Sequence, residues 1–247
     1  MKNLKINQKR YKGFTLVELL VVVVIIAVLM GMLIPAVMRS KVRARIATAR
    51  ADMSNIKGAI LSYQTDYSRF PVPRVVPLNP QGGDITFGAG GAPNYGVMRI
   101  LCSVDDSTPP IDDSTTPPTP TLTVNGNFSR NPKKNKYLDV PSGDDLGDSG
   151  LDPIYNFNDP WRQQYIITMD MDGDGDCSDK YYRKAGMNVD VVIGLRKSKW
   201  TPPSGSPQDE HVLMGQVMIY SRGPDQKANG SISALEGVNE DNILNWR

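Results

Sequence analysis

Hydrophobic residues follow two different patterns along the first 70 residues of the chain. Residues 19–37 form a run without a charged side chain, which is about long enough to cross a bilayer as a helix. After this run, apolar side chains recur every three or four positions, which predicts a continuing helix with one apolar stripe. The stripe consists of Val42, Ile46, Ala49, Met53, Ile56, Ile60, Tyr63 and Tyr67.

The predicted helix extends from about residue 14 to residue 66. It ends before Pro71 and Pro73, which cannot continue a helix. Its stripe is expected to pack on a β-sheet of the same chain or, as the alternative, on another chain in a coiled coil. The small Ala49 and the short repeat favour the sheet.

Strand patterns return near the C-terminus. Residues 164–169, 189–193 and 212–220 are short and apolar, with β-branched or aromatic members, and Gly, Asp and Pro flank them. Residues 71–155 are loop-rich, apart from a short helix predicted near 96–102. The predicted fold class is α+β: a long N-terminal transmembrane and amphipathic helix packed on a small antiparallel sheet, with loop-rich insertions.

Charge and composition exclude several classes of function. The net charge of +2 gives no reason to expect nucleic acid as the main partner. The single histidine, His211, excludes any site that needs two, and we expect it to be a polar residue entering a strand. The sequence contains no phosphate-binding loop, dinucleotide fingerprint or nucleophile elbow, so we predict a structural protein and no enzyme. Cys102 and Cys177 are a candidate disulfide if the domain is exported.

The N-terminus has the basic head and apolar run of an export signal, yet no small-residue cleavage site follows the run. The small residue, Gly13, precedes it. Glu18 lies at the edge of the run, where an ionised carboxylate must remain hydrated or pair with a cation. Cleavage after Gly13 would create such a cation, the new amine of Phe14, on the same chain or on a neighbouring copy.

Residues 13–19, GFTLVEL, resemble the processing motif of type IV prepilins: glycine, an aromatic residue and a glutamate five residues past the cut. The resemblance implies that a prepilin peptidase cleaves between Gly13 and Phe14 and methylates the amine of Phe14. It implies that Glu18 and Pro35, a helix-kinking proline, serve assembly. Five Lys or Arg residues lie on each side of the apolar run, so the resemblance, and no charge count, places the leader in the cytoplasm.

Two further segments resemble pseudopilins. Tyr63, Asp66 and Phe70-Pro71 are similar to the residues that close the long helix in that family. Residues 159–161, Asp-Pro-Trp, with Tyr165 resemble the entry to the first sheet strand in the major pseudopilin of type II secretion systems. Arg162 stands where that family usually has glycine, which puts the tight turn in doubt.

Alternate carboxylates at Asp170, Asp172, Asp174 and Asp176 are spaced as in the calcium loop of an EF-hand. Tyr181 occupies the position of the bidentate glutamate, and Asp179 is a candidate substitute. The alternative interpretation is an acidic turn between strands.

A second candidate calcium loop begins at residues 221–225, Ser-Arg-Gly-Pro-Asp, and resembles the C-terminal calcium loop of major pseudopilins. Its candidate ligands are Asp225, Asn229 and Asp241, and Trp246 could hold the tail in place. Gln226 stands where the family usually has glycine. The alternative is a structural turn followed by a solvated tail.

The resemblance implies five regions: a cleaved leader (1–13), a transmembrane helix half (14–38), an amphipathic helix half (39–70), a loop-rich variable region (71–155) and a C-terminal sheet with calcium loops (156–247). It implies a pseudopilin of a type II secretion system, anchored by one span in the inner membrane with its C-terminal domain in the periplasm. Implied partners are the prepilin peptidase, other copies, minor pseudopilins and the inner-membrane assembly platform. The alternatives are a surface pilin for adhesion or DNA uptake and a signal-anchored periplasmic binding module.

Overall fold

The computed structural model divides the chain into two compact units, which meet between Ala44 and Arg45. It describes residues 14–73, 83–88, 92–105, 124–141, 149–179, 181–182, 194–200, 208–233 and 235–246.

The described residues contain one long and one short α-helix, two 3-10 turns and nine strands. The helices are α1 (Leu16–Tyr67) and α2 (Tyr95–Leu101), with 3-10 turns at Gly126–Phe128 and Gly237–Asn239. The strands are β1 (Ile85–Phe87), β2 (Gly150–Leu151), β3 (Phe157–Asn158), β4 (Ile166–Met169), β5 (Asp176–Cys177), β6 (Leu195–Trp200), β7 (Gln208–Met214), β8 (Val217–Ser221) and β9 (Ile243–Leu244). The long helix, the short helix near 96–102 and the α+β class are thus confirmed.

The second half of α1 places its apolar stripe in the core of the second unit. Ala49, Met53, Ile56, Ile60 and Tyr63 are buried, and all five belong to the main hydrophobic cluster of that unit. The same cluster contains side chains from the sheet and from α2, so the stripe packs within its own chain. This confirms the sheet over the coiled coil for residues 46–67, whereas Val42, in the first unit, is 43% exposed.

A four-stranded antiparallel sheet, in the order β1-β4-β8-β9, lies at the centre of the second unit. Because successive side chains of a strand point to opposite faces, β4, β8 and β9 each contribute to two different cores. Ile167 and Ile219 belong to the cluster that contains the α1 stripe. Ile166 and Tyr220 belong to a second cluster on the other face. The sheet is therefore covered on both faces, which the sequence analysis did not predict.

The second cluster joins the central sheet to a three-stranded antiparallel sheet in the order β5-β7-β6. Leu195 and Leu213 come from this smaller sheet, and they pack with Tyr182 and Leu244. Trp246 packs against the same cluster, with its ring 5.5 Å from that of Tyr182 in an edge-on arrangement. The expectation that Trp246 holds the tail in place agrees with these contacts.

The prediction of one strand over residues 212–220 was wrong. Residues 208–214 form β7 and residues 217–221 form β8, and the two strands belong to different sheets. Gly215 has a φ of 140°, a conformation that favours glycine, and this residue lets the chain leave one sheet and enter the other. The strand predicted at residues 189–193 lies outside the described residues.

Candidate functional site

The described residues contain one helix that is long and apolar enough to cross a membrane, α1. In the first unit its large apolar side chains are exposed on every side of the helix; Val22 and Val28 are 45% and 56% exposed. Pro35 lies inside the helix, where it cannot donate a backbone hydrogen bond. Such a surface needs lipid or other apolar helices around it, because burial is worth roughly 25 cal/mol for each Å² of apolar area.

Thr15 and Glu18 form a reciprocal cap at the start of this helix. The backbone N–H of Thr15 donates to Oε2 of Glu18 at 2.9 Å, and the N–H of Glu18 donates to Oγ1 of Thr15 at 3.2 Å. Thr15 Oγ1 also donates to Oε2 of Glu18 at 2.7 Å. This is a capping box, which satisfies two backbone donors that the helix itself leaves without partners. The pattern T-x-x-E at residues 15–18 is the sequence signal that predicts such a box.

The other residues of the predicted processing site are only partly described. Phe14 is 73% exposed, and Gly13 lies outside the described residues. The pairing of Glu18 with a neighbour's Phe14 amine involves a second copy of the chain, so it stays a prediction.

The C-terminal end of α1 is held by residues 130–137. The hydroxyl of Tyr63 donates to the backbone oxygen of Arg130 at 2.5 Å, and the hydroxyl of Tyr67 donates to Oδ1 of Asn131 at 2.8 Å. Asp66 accepts a hydrogen bond from the Tyr137 hydroxyl, which lowers the pKa of the carboxyl below its usual range. These residues therefore fix the helix end, in agreement with the pseudopilin-like closing motif.

The turn at residues 159–163 forms although it lacks the glycine of the family pattern. Arg162 adopts the left-handed conformation with a φ of 68°. Oδ1 of the buried Asp159 accepts from the N–H groups of Trp161 and Gln163, both at 2.9 Å. Burial raises the pKa of Asp159, and its other carboxylate oxygen accepts from the hydroxyl of Ser221 at the end of β8.

Gln226, in the C-terminal loop, departs from the family pattern in the same way as Arg162. It stands where the family usually has glycine, and it too is left-handed, with a φ of 61°. Its amide Nε2 donates to the backbone oxygen of Trp161 at 3.0 Å, and its Oε1 accepts from Gln163 at 3.3 Å. The two turns are therefore linked by the side chain that replaces the glycine, which offsets part of the cost of the conformation.

The loop after β4 gathers a different set of carboxylates from the one predicted. Oxygens of Asp84, Asp170 and Asp172 lie within 4.8 Å of one another. Asp84, which immediately precedes β1, was not predicted, because its sequence neighbourhood has no metal-loop spacing. Burial, with the nearby charges of Asp172 and Asp170, raises the pKa of Asp84 to about 7. This repulsion is the kind that a hard cation relieves.

The remaining acids of that loop have other partners. Asp176 forms an ion pair with Arg196 on β6, and Asp174 Oδ1 accepts from the N–H of Asp176 at 2.8 Å. The buried Asp179 accepts from the hydroxyl of Tyr220 and from the N–H of Tyr182. Of the acids proposed as ligands in this loop, the structure thus brings together only Asp170 and Asp172.

In the C-terminal loop the structure brings Asp225 and Asp241 together. Oδ2 of Asp241 accepts from the N–H of Asp225 at 2.9 Å, while its Oδ1 is buried without a hydrogen-bond partner among the described residues. Burial and the neighbouring Asp225 raise the pKa of Asp241. Asn229 is engaged elsewhere, because its Oδ1 accepts from the N–H of Ser231 at 2.9 Å. Gly223, with a φ of 66°, lies against the backbone of Asp241, where no side chain would fit.

The cysteines and the histidine are not brought together. Cys102 and Cys177 are free thiols, and they pack against different hydrophobic clusters, so the candidate disulfide is not formed. His211 is buried within β7, opposite Lys197 of β6. Its position inside a strand agrees with the expectation that it is a polar strand residue.

Comparison with known proteins finds a family match near the N-terminus of the chain. Residues 8–34 match the model of the prokaryotic N-terminal methylation motif. The chain is 38% identical to the type II secretion system core protein G of Klebsiella pneumoniae over 63 residues, which are 26% of this chain and 45% of that protein. With the protein of the same name from Pseudomonas aeruginosa, identity is 34% over 65 residues, 26% of this chain and 46% of that protein.

A longer alignment joins the chain to the type II secretion system core protein G of Klebsiella michiganensis. The two are 28% identical over 133 residues, which are 43% of this chain and 92% of that protein. The chain thus spans less than half the length of the other two relatives and nearly all of this one. No solved structure matches the chain. The methylation motif and these relatives together support the assignment of the chain to the type IV prepilin-like, pseudopilin family.

Proposed function

We propose that the chain is a structural subunit of a type IV pilus-like filament, a pseudopilin whose periplasmic fibre promotes protein export by a type II secretion system. The observation that carries this proposal is the N-terminal methylation motif, which continues into a helix with exposed apolar side chains on every side. Assembly provides such a helix with apolar neighbours. In this role the residues of the motif serve processing and packing, and the protein is not an enzyme.

We propose that each subunit passes through insertion, processing and assembly in that order. The chain enters the inner membrane with one span and its C-terminal domain in the periplasm. A prepilin peptidase cleaves after Gly13 and methylates Phe14. The subunit then joins other copies and minor pseudopilins at the inner-membrane assembly platform. The names of the relatives and the methylation motif support this sequence of steps.

The first test is the mass of the N-terminal peptide. We expect the chain purified from membranes of cells that contain a prepilin peptidase to begin with N-methylated Phe14. A peptidase-deficient strain is the matched control and should yield the unprocessed chain. A membrane form that keeps Met1 in both strains would contradict the filament proposal and favour the signal-anchored binding module.

A second test separates two roles of Glu18 that the capping box makes distinct. Glu18→Gln keeps an acceptor for the Thr15 N–H but removes the charge, whereas Thr15→Ala removes the threonine side of the box and keeps the charge. If Glu18 pairs with the amine of a neighbour's Phe14, Glu18→Gln abolishes filaments and Thr15→Ala leaves them largely intact. The opposite result would assign Glu18 to the helix cap and contradict the pairing.

The phenotype of a deletion strain separates the pseudopilin from the surface pilin. A pseudopilin is expected to be required for export of folded proteins when present at native levels. A surface pilin would instead be required for adhesion or DNA uptake. Deletion of the gene, followed by measurement of these three phenotypes, decides between them.

We also propose that calcium stabilises the second unit. Carboxylate oxygens of Asp84, Asp170 and Asp172 lie close enough to share one cation, and a hard cation prefers such ligands. The C-terminal loop offers Asp225 and the buried Oδ1 of Asp241 as a second location. Calcium at either place would neutralise carboxylates that otherwise repel one another.

Melting temperatures in calcium and in chelator test this proposal. Binding to the folded state alone stabilises a protein by about 2.7 kcal/mol at 100 times the dissociation constant, so a rise of several degrees is expected. Asp172→Asn should abolish the rise if calcium binds after β4, and Asp241→Asn should abolish it if calcium binds the C-terminal loop. Asp174→Asn is the control. An equal melting temperature in calcium and chelator would dismiss a structural ion.

A further inference from the structure

Three cations follow the apolar stretch of α1 without an intervening acid. Arg39, Lys41 and Arg43 are all exposed, and all belong to the first unit. With 3.6 residues per turn, positions four apart share nearly the same face of a helix and positions two apart lie on nearly opposite faces. Arg39 and Arg43 therefore lie on one face and Lys41 on the other. We call these three residues the basic collar.

The surrounding sequence offers the basic collar no counter-charge. No acidic residue occurs between Glu18 and Asp52, while Arg45 and Arg50 add further positive charge. Among the described residues, the ion pairs join Lys133 to Asp66, Lys136 to Asp139 and Arg196 to Asp176, and none includes the collar. A counter-charge for these cations must therefore come from another molecule or from residues that the structure does not describe.

The distance from the apolar run identifies the region in which that counter-charge lies. A hydrocarbon core of roughly 30 Å takes about 20 helical residues, which residues 19–38 supply. At about 1.5 Å per residue, the basic collar then lies within roughly 8 Å of the hydrocarbon edge. The headgroup layer of a bilayer extends about this far, because the full bilayer is about 40–45 Å thick.

We propose that the basic collar binds anionic lipid headgroups on the side of the membrane where the globular part of the chain emerges. Headgroups surround a single helix, and the collar presents charge on opposite faces, whereas a protein partner docked on one side would need charge on one face only. Each such cation near an anionic surface contributes about a fivefold factor to binding. The collar thereby fixes the depth of the unassembled subunit in the membrane.

This inference rests on the proposed membrane anchor and adds to it a lipid preference. It also gives a reason for the charge pattern. Basic residues are normally in excess on the cytoplasmic side of a span, yet here the two sides carry five each. Moving these cations across the membrane is unfavourable by this rule, and binding to anionic headgroups would compensate for that cost.

The experiment measures which lipid contacts the full-length chain. The protein is reconstituted into phosphatidylcholine vesicles that contain a trace of spin-labelled phosphatidylglycerol or spin-labelled phosphatidylcholine, and the immobilised fraction of each label is recorded. We expect a several-fold preference for phosphatidylglycerol that falls as salt is raised. Arg39→Gln, Lys41→Gln and Arg43→Gln combined should abolish the preference, and Arg39→Lys with Arg43→Lys should retain it.

The matched control neutralises three exposed lysines of the second unit, Lys197, Lys199 and Lys227, in one variant. This variant should keep the preference, and an equal loss would overturn the collar in favour of total charge. Equal immobilisation of the two labels by the wild-type chain would also overturn it. If the collar variant keeps the preference but fails to form filaments, the cations serve neighbouring copies and the lipid inference is wrong. A chain that does not float with the vesicles would overturn the membrane anchor itself.

Discussion

The two halves of α1 are continuous in backbone and opposite in surroundings. In the first unit, Ile26 is 47% exposed and its apolar neighbours are exposed on all sides. In the second unit, Ile56 and Ile60 are fully buried in a core that the same chain supplies. The same helical geometry thus serves two purposes. One half contributes to the stability of the fold, and the other contributes only when lipid or another chain covers it.

The largest expected effect comes from removing equivalent side chains in the two halves. Ile60→Ala should lower the free energy of unfolding of the second unit by about 2–5 kcal/mol, because it leaves a cavity in a packed core. Ile26→Ala removes the same atoms from an exposed position and should change that free energy by less than about 0.5 kcal/mol. Urea unfolding of the full chain in detergent measures both. Equal losses would contradict the division of the helix into two functions.

A lysine introduced into each half of the helix should have its larger effect in the first half. Val28→Lys puts an ammonium near the middle of the apolar run, where the cost of membrane insertion is about 2.5–3.5 kcal/mol. We expect most of this variant to be lost from membranes on alkaline extraction while its second unit unfolds normally. Ala51→Lys, at an exposed position of the second half, is the control and should be retained like the wild type. Full retention of the Val28→Lys chain would argue against a span.

A smaller effect concerns Asp52, an acid on the second half of the helix. Burial raises the pKa of its carboxyl, although hydrogen bonds from Ser149 and Tyr165 oppose the shift. The folded state therefore keeps a proton that the unfolded state releases above about pH 3.9. Stability from this group is fully present below that pH and is lost as pH rises through the folded pKa.

Two variants test the Asp52 assignment. Asp52→Asn should flatten the decline of the unfolding free energy between about pH 4 and neutral pH, because the amide has no proton to lose. Ser149→Ala removes a hydrogen bond that favours the charged form, so it should extend the decline to higher pH. Urea unfolding across this pH range measures both changes. An Asp52→Asn profile parallel to that of the wild type would assign the decline to other groups.

The helix was predictable because each half has its own strong pattern of hydrophobic residues. A continuous apolar run and a stripe at three and four residues are both set by the chain alone, and Pro71 and Pro73 mark the end. The sheet was predicted only in outline. Residues 212–220 look like one apolar strand, and only the strand pairing shows that β7 and β8, separated by the left-handed Gly215, belong to different sheets.

The candidate sites were predictable to the extent that their residues are neighbours in sequence. Asp170 and Asp172 do meet, but their third partner, Asp84, precedes them by a long stretch of chain and is brought close by the pairing of β1 with β4. The left-handed Arg162 and Gln226 illustrate the opposite difficulty. Sequence reasoning put the first turn in doubt for lack of a glycine, because it could not show the contact between the two turns that accompanies the left-handed Arg162 and Gln226.

The smallest effect uses the two glycines that α1 carries, one in each half. Neither Gly31 nor Gly58 has any atom near the place where a Cβ would lie. Gly58→Ala should stabilise the second unit by about 0.5–1 kcal/mol, since alanine loses less backbone entropy in a helix. Gly31→Ala should leave the unfolding of that unit unchanged. If neighbouring helices pack closely in the filament, it should reduce assembly, because small residues allow close approach. Filament yield and urea unfolding measured on both variants check this, and normal filaments from Gly31→Ala would show that residue 31 does not face a close neighbour.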